Sequence, residues 1–314
     1  MTMRLAILCP GQGGQHAGMF DLLREDALAA AFLARCDLDG LLQAPLVQVL
    51  ADPTRLFANT CAQPLIVAAQ LAAWQALREP LAAIAGAPAV VAGYSVGELS
   101  AYAVAGVVDA SATVALAARR AALMSEAAAA VPGQGLMSFG GMEVAALQAC
   151  LQAQGAHAAI VTGADTLVAG GLNAALQTAA TALAGQGVRS AALPVGLASH
   201  TPLMQAALAP FLAELGAVDF HVPVMPLLAG VTGQVIADPD QTRQLLASQL
   251  TDTIQWSACM DACAERGVTV ALELGPGSAL SRMLRERHGH IQCRSLADFR
   301  TLPGLLSWLR RQAD

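Results

Sequence analysis

The chain has 314 residues, which at roughly 150 residues per domain corresponds to about two domains or to one large domain with an insertion. Hydrophobic residues make up 55% of it, charged residues only 13%, and the mean hydropathy is +0.53, so the composition excludes a disordered chain and allows a sizeable core. The net charge of −6 shows no footprint of nucleic-acid binding, and since all 17 cations are arginine, Schiff-base lysine chemistry and a P-loop lysine are excluded.

The apolar stretches and the cysteines indicate the compartment. Glycine, proline or aspartate interrupts the longest charge-free stretches before about 20 residues, so the sequence predicts no membrane span. The first apolar run, Leu5–Cys9, ends in Pro-Gly-Gln-Gly-Gly and does not resemble a signal peptide. Seven scattered cysteines without a CxxC pair favour buried, reduced thiols over a metal site. We therefore expect a soluble, cytoplasmic protein without a bound metal or cofactor.

In chain order, the first part alternates short apolar strands with helices. A buried strand at Leu5–Cys9 ends at a glycine-rich loop, and a second strand at Pro88–Ala92 is bounded by proline and glycine. Helical patterns predict helices at about 62–78, 96–106 and 110–130. The clearest break in the chain follows at residues 131–135, where the sequence is Val-Pro-Gly-Gln-Gly.

After this break the predicted order is strand–helix–strand–strand–helix–strand, which is the order of a ferredoxin-like unit. The six elements are Gly135–Gly140, Glu143–Gln154, Ala158–Val161, Thr166–Ala169, Leu172–Gly185 and Arg189–Val195. The later elements are a helix at Pro202–Leu215 and strands near Val224–Ala229 and Val268–Glu273. The sequence therefore predicts an α/β fold, with residues 1–131 and 196–314 forming one discontinuous domain and residues 132–195 an inserted ferredoxin-like subdomain.

The segment Gly93-Tyr94-Ser95-Val96-Gly97 has the form G-x-S-x-G and lies between a predicted strand and a predicted helix. A tight turn of this kind presents the serine oxygen at the carboxyl edge of the sheet. Ser95 is therefore a candidate nucleophile, and the Val96 amide is a candidate oxyanion donor. The motif recurs by chance in glycine-rich chains, but its position between a strand and a helix favours the catalytic interpretation.

A serine nucleophile needs a base, and the chain has six histidines. His200 lies in a polar loop between the last strand of the insertion and a helix. The other five lie in loops or polar stretches: His16, His157, His221, His288 and His290. Position along the chain alone leaves the choice of base open.

Two further segments add polar groups. The loop Pro10–Gln15 follows the first strand and lacks the spacing of a dinucleotide fingerprint; its glutamines could donate to a carbonyl, or it could be a tight surface turn. Arg119 and Arg120 lie on the predicted helix at 110–130. Neighbouring side chains on a helix point about 100° apart, so at most one of the two readily faces a site. Such an arginine could bind a substrate carboxylate bidentately, or form a solvated salt bridge.

Together, these motifs resemble the malonyl-CoA:acyl carrier protein transacylase family. The matching segments follow the family's order across nearly the whole chain: PGQGGQ at 10–15, AQP at 62–64, GYSVGE at 93–98, RAALM at 120–124, SH at 199–200, QL…QW at 249–256 and ELGPG at 273–277. The resemblance implies an α/β-hydrolase-like large domain and a malonyl intermediate on Ser95. It also implies malonyl-CoA and an acyl carrier protein as substrates, each bringing its own CoA or phosphopantetheine-type arm.

The resemblance also assigns roles by position. It implies that His200 is the base, that Gln12 lies in the oxyanion hole beside the amide after the nucleophile, and that Arg120 holds the malonyl carboxylate. It further implies that the backbone carbonyl of Gln249 orients the histidine and that Gln63 is a pocket residue. A Ser–His pair without a carboxylate is typical of the family.

Three departures from the family pattern bear on the subtype. Tyr94 replaces the histidine that the family usually has before the nucleophile, the polar stretch of the insertion is Val161–Ala169 with Asp165, and the chain lacks lysine. These features resemble the epsilon subunit of bacterial malonate decarboxylase, which charges that enzyme's own carrier subunit. The alternative is a transacylase of fatty-acid or polyketide synthesis.

Two interpretations outside this activity are a serine thioesterase and a non-catalytic scaffold. The thioesterase would need a Ser–acid–His order and an HGGG-type loop, and the sequence shows neither. The complete set of site residues argues against the scaffold.

A carrier protein is acidic, so a basic patch is a candidate docking surface for it. The densest group of basic residues consists of Arg282, Arg285, Arg287 and Arg294. The alternative is that these arginines form a solvated helix face.

Overall fold

A computed structural model describes residues 3–313 and contains two β-sheets surrounded by helices. The strands are β1 Leu5–Cys9, β2 Val90–Gly93, β3 Gln134–Gly140, β4 His157–Val161, β5 Thr166–Leu172, β6 Arg189–Ala192, β7 Ile254–Gln255, β8 Val270–Glu273 and β9 Gln292–Ser295. The α-helices are α1 Ala27–Arg35, α2 Leu38–Leu42, α3 Leu46–Ala51, α4 Pro53–Phe57, α5 Asn59–Ala85, α6 Gly97–Val104, α7 Ala110–Ala130, α8 Val144–Ala153, α9 Asn173–Ala184, α10 Gln205–Gly216, α11 Thr242–Ser248, α12 Trp256–Glu265, α13 Ala279–Arg287 and α14 Leu302–Ala313. Among these, none is long and apolar enough to cross a membrane.

The first sheet has four strands, all parallel, in the order β2-β1-β8-β9, and is called the parallel sheet below. Successive residues of a strand point to opposite faces, so Leu5 and Ile7 join the core formed with α5 and α7, while Ala6 and Leu8 join the core formed with α12 and α13. This sheet, with helices on both faces, is the predicted α/β architecture. The carboxyl ends of β2, β1 and β8 lie side by side, which brings the three loops that follow them together.

The second sheet has five strands in the order β6-β3-β5-β4-β7, and its first four strands are antiparallel. With α8 after β3 and α9 after β5, this is the predicted ferredoxin-like arrangement, so the predicted fold class is confirmed. One face packs on α8 and α9, while Leu136, Ile160 and Val168 on the other share a core with strands of the parallel sheet. The two-residue strand β7, from outside the insertion, pairs with β4 and extends the sheet.

Two predicted elements need correction, and one strand was not predicted. The helix expected at 62–78 runs from Asn59 to Ala85 and contains two prolines, because its buried packing outweighs their local cost. The strand predicted near Val224–Ala229 is wrong: only isolated bridges form there, and Pro226 lacks the N–H that a ladder requires. Strand β9 was missed because exposed polar residues alternate with buried ones along this sheet edge.

Candidate active site

Ser95 lies on the sharp turn between β2 and α6, with a positive φ of 55°. The turn brings backbone segments very close together at the two motif glycines. A Cβ on Gly93 would lie 2.3 Å from the Cα of Glu98, and one on Gly97 would lie 2.0 Å from the carbonyl oxygen of Cys9. Glycine at both positions is therefore a steric requirement of the turn that exposes the serine.

His200 is the histidine that contacts Ser95. Its Nε2 lies 2.8 Å from the Ser95 Oγ, and its Nδ1 lies 2.5 Å from the backbone carbonyl oxygen of Gln249. Since a carbonyl oxygen only accepts hydrogen bonds, Nδ1 carries the proton and the Nε2 lone pair faces the serine hydroxyl. The amide of His200 also donates to the Leu250 carbonyl at 2.9 Å, which fixes the loop in place.

The surroundings of His200 keep its ring neutral. The side chain is 1% exposed, and this burial, together with the nearby charge of Arg120, lowers its pKa to about 3. The hydrogen bond to the Gln249 carbonyl acts in the opposite direction but is the weaker effect. His200 is therefore in the form that accepts a proton throughout the neutral and mildly acidic range.

This low pKa predicts a flat pH profile. Between pH 8 and pH 5.5, the rate at which a neutral fluorophosphonate labels Ser95 should change less than twofold, because His200 stays unprotonated. For a histidine with an ordinary pKa of about 6.5, the fraction in the neutral form would fall roughly tenfold over this range. Stopped-flow or quenched labelling at several pH values measures the rate. A tenfold fall with a midpoint near pH 6.5 would contradict the prediction.

The two adjacent arginines lie in different environments. Arg119 is on the surface and donates to Glu214 at 2.6 Å, whereas Arg120 is 1% exposed. Arg120 donates from Nη1 to the Gln63 side-chain oxygen at 2.7 Å and from Nη2 to the Gln249 side-chain oxygen at 2.8 Å. Burial lowers the pKa of Arg120 to about 10, so the guanidinium remains charged at neutral pH. Within residues 3–313 it makes no salt bridge.

Gln12 and Gln63 converge on a residue that sequence reasoning missed. The Gln12 Nε2 donates to the Asn59 Oδ1 at 3.0 Å, and the Gln63 Nε2 donates to the same oxygen at 2.7 Å. Asn59 in turn donates to the Ala121 carbonyl and to Ser125 on α7. Its position one helical turn before Gln63 was the only signal in the sequence. Asn59 thus ties the loop after β1 to the surroundings of Arg120.

Comparison with known proteins fits this arrangement. Residues 7–298 match the acyl transferase domain family. A malonyl CoA-acyl carrier protein transacylase from Mycobacterium bovis is 33% identical over 292 residues, which cover 93% of this chain and 96% of that protein. The chain belongs to the malonyl-CoA:acyl carrier protein transacylase family.

Solved structures of the family share the fold of this transacylase-family member. The crystal structure of a Mycobacterium tuberculosis enzyme of this kind has a TM-score of 0.87 and 31% identity, and the match covers 98% of this chain and 99% of that one. A malonyl-transacylase solved in complex with its type II polyketide-synthase acyl-carrier protein has a TM-score of 0.88 and 25% identity, covering 97% and 99% of the two chains. The family recognised from the sequence motifs is therefore confirmed.

Sequence reasoning did not single out Glu98 either, although this residue ends the GYSVGE motif of the acyl transferase. Its carboxylate is fully buried and accepts from the Gly230 amide at 3.0 Å and from the Gln249 side-chain amide. Burial raises the pKa of Glu98 to about 7, although these hydrogen bonds and the charge of Arg120 lower it. A buried carboxyl group thus lies behind Gln249, at the nitrogen end of its side-chain amide, while Arg120 contacts the oxygen end.

Tyr94, where the family usually has histidine, packs between the loop after β1 and α12. Its ring meets the Trp256 ring edge-on, with the centroids 5.4 Å apart. A Cβ on Gly11 would lie 2.9 Å from the Tyr94 carbonyl oxygen and 3.1 Å from its ring, so the loop after β1 approaches this residue closely. The aromatic pair belongs to the core shared by the two sheets.

A cavity of about 440 Å³ opens beside His200, between the insertion and the larger domain. Its lining is mostly polar and includes Gln148, Gln152, His157, Thr251, Asp252 and Thr253. Among the described residues, no group of three or more His, Cys, Asp or Glu side chains is arranged to hold a metal ion.

The arginine cluster is partly neutralised by carboxylates of the chain itself. Arg287 forms a two-pronged ion pair with Asp261, with both N–O distances 2.6 Å, and His288 contacts the same carboxylate. Arg294 lies 3.8 Å from Asp298. Arg282 and Arg285 are exposed. Half of the basic residues proposed as a docking patch thus already have anionic partners.

Proposed function

We propose that this acyl transferase moves malonyl from malonyl-CoA to the thiol of an acyl carrier protein through a malonyl-serine on Ser95. The observation that carries the proposal is Arg120: a buried, charged guanidinium that makes no salt bridge within residues 3–313, near a hydrogen-bonded Ser95 and His200. A buried cation is costly unless an anion compensates it. The free carboxylate of a malonyl group supplies that anion.

In the first half-reaction, His200 acts as the general base. Its Nε2 takes the proton of the Ser95 hydroxyl while the serine oxygen attacks the thioester carbonyl. The Val96 amide and the second N–H of the Gln12 side chain stabilise the oxyanion that forms. When the tetrahedral intermediate collapses, the carbon–sulfur bond breaks, and the CoA thiolate receives the proton from His200.

The second half-reaction is the same chemistry in reverse order. The carrier's pantetheine-type thiol gives its proton to His200 and attacks the malonyl ester on Ser95. The ester bond breaks, the serine oxygen recovers the proton from His200, and the malonyl group leaves on the carrier. A ping-pong scheme follows, because the first thiol departs before the second one reacts.

Arg120 gives the site its preference for malonyl and also affects the base. Its charge is one reason why the pKa of His200 is low. A malonyl carboxylate bound to Arg120 neutralises that charge and so makes His200 a stronger base. An acetyl group brings no such compensation. Arg120 is therefore expected to favour malonyl over acetyl in the chemical step as well as in binding.

We further propose that the physiological acceptor is the carrier subunit of malonate decarboxylase, which makes this chain the epsilon subunit. Tyr94, the short turn between β4 and β5 that contains Asp165, and the lysine-free composition support this subtype. A malonyl-CoA:acyl carrier protein transacylase of fatty-acid or polyketide synthesis is the alternative. The proposed location is the cytoplasm, which the seven free cysteines support.

A competition between acceptors tests the proposal. The chain is loaded with malonyl-CoA and offered the holo carrier subunit of malonate decarboxylase and a holo fatty-acid carrier protein in equal amounts. We expect at least a tenfold preference in kcat/KM for the former, measured by mass spectrometry of both carriers. A preference for the fatty-acid carrier would overturn the subtype alone. CoA release at the same rate without any acceptor would instead indicate a thioesterase.

A further inference from the structure

Glu98 is tied to the site through one residue. It is the second residue of α6, three residues after Ser95, and its two carboxylate oxygens have different partners. One accepts from the Gly230 amide at 3.0 Å, and the other accepts from the side-chain amide of Gln249. A Cβ on Gly230 would lie 2.5 Å from this second oxygen, so the backbone approaches the carboxylate closely.

The side-chain amide of Gln249 has two nearly isosteric orientations, and its partners select one. The Nε2 donates both to Glu98 and to the Ser95 carbonyl at 2.9 Å, and both partners are acceptors. The Oε1 is therefore turned toward Arg120, whose Nη2 donates to it at 2.8 Å. In the flipped orientation, an N–H would face the guanidinium, and the hydrogen bond to Arg120 would be lost.

We propose that Glu98 is a positioning residue that orients the Gln249 side-chain amide so that its oxygen holds Arg120 in place for the malonyl carboxylate. The inference rests on the proposed function, because it assigns Glu98 to the malonyl-binding half of the same site. The backbone carbonyl of Gln249, which orients His200, does not depend on the direction of the side-chain amide. We therefore expect Glu98 to affect malonyl binding more strongly than the reactivity of Ser95, whose backbone carbonyl the same amide also contacts.

The carboxylate is needed because two donors face it. In Glu98→Gln the side chain keeps its shape but has one acceptor oxygen for the two N–H groups, from Gly230 and from Gln249. If the oxygen stays with Gly230, the new amide nitrogen faces the Gln249 Nε2 and opposes the observed orientation of that amide. The substitution thus replaces one of the two acceptors that select the orientation, leaving the Ser95 carbonyl as the other, while the volume of the side chain is unchanged.

Glu273 provides a matched control. It is also fully buried, at the carboxyl end of β8 in the parallel sheet, and it also accepts two hydrogen bonds, from the amides of Leu280 and Ser281. Burial raises its pKa to about 7, as it does for Glu98. Its partners, however, are backbone groups of α13 outside the site. Glu273→Gln therefore reproduces the loss of a buried carboxylate without touching Gln249.

The experiment compares two reactions of Ser95 in the full chain, in Glu98→Gln and in Glu273→Gln. Labelling with a fluorophosphonate that has no carboxylate gives the number of reactive sites and the rate of labelling. Malonyl-CoA loading is measured by mass spectrometry in a separate sample and divided by that number of reactive sites. For Glu98→Gln we expect the second-order rate of malonyl loading to fall about 10- to 100-fold, as for a lost hydrogen bond to a charged group. Fluorophosphonate labelling should stay within about threefold. Glu273→Gln should change neither rate per site by more than that.

Three outcomes would overturn the inference. Malonyl loading and fluorophosphonate labelling could fall together in Glu98→Gln, or the variant could contain no reactive sites; both would show that Glu98 is merely structural. Malonyl loading could also stay unchanged, which would show that Gln249 needs no such support. If the unsubstituted chain reacts with the fluorophosphonate but takes up no malonyl, the proposed function itself fails, and the inference fails with it.

Discussion

Ser95→Ala is expected to abolish the malonyl-enzyme and to lower malonyl transfer by roughly 10⁴-fold or more, as removal of a serine nucleophile does elsewhere. The Ser95 Oγ is the hydroxyl oxygen held 2.8 Å from the His200 Nε2, and the turn between β2 and α6 presents it at the sheet edge. Peptide mass spectrometry after incubation with malonyl-CoA detects the intermediate, and transfer to a carrier thiol measures turnover.

Ser100→Ala is the matched control for this substitution. Ser100 lies on α6, the helix that follows Ser95, is fully buried, and its hydroxyl has no hydrogen-bond partner among the described residues. Its removal should leave both malonyl loading and transfer close to those of the unsubstituted chain. Malonyl found on a residue other than Ser95, or an intermediate that persists in Ser95→Ala, would refute the assignment of the nucleophile.

Arg120→Ala is expected to lower kcat/KM for malonyl transfer by about 10³-fold, or about 4 kcal/mol, the usual scale for truncating one member of a buried charge pair. Transfer of acetyl, which has no free carboxylate, should change less than about tenfold. The physical reason is that the buried guanidinium compensates only an acyl group that carries a charge. Steady-state kinetics with malonyl-CoA and acetyl-CoA give the ratio of the two effects.

The neighbouring arginine offers a control for charge and for helix propensity. Arg119→Ala removes the same side chain one position earlier on α7, but that residue is on the surface and paired with Glu214. Both acyl groups should be transferred as before, because surface ion pairs contribute little to stability. Equal losses for malonyl and acetyl in Arg120→Ala would mean that the arginine supports the fold of the site and does not select the substrate.

Local chemistry in the sequence predicted the turn at Ser95 and the order of the inserted subdomain. Glycines at 93 and 97 mark a backbone that any Cβ would obstruct, and strand and helix periods are visible over short windows. The same local reasoning was wrong at Val224–Ala229, where the apolar residues looked like a strand but proline prevents a ladder. It also missed β9, because an edge strand with exposed arginine has little apolar signal.

The polar network around Arg120 could not be predicted from local patterns. Gln63 and Gln249 are 57 and 129 residues from Arg120 along the chain, yet their side chains share its guanidinium. Asn59 and Glu98 extend the network further, and neither has a residue type or spacing that indicates its partner. Their roles depend on which donors and acceptors the fold brings within hydrogen-bonding distance.

By itself, the sequence determined the chemistry that was possible: a serine on a glycine-bounded turn, and arginine as the only fixed cation. The tertiary structure decided which groups take part. Helix geometry limited the choice to one of Arg119 and Arg120, and packing buried the latter. The fold also placed His200 against Ser95 and lowered its pKa, because burial and a nearby charge are properties of three-dimensional surroundings that residue order does not contain.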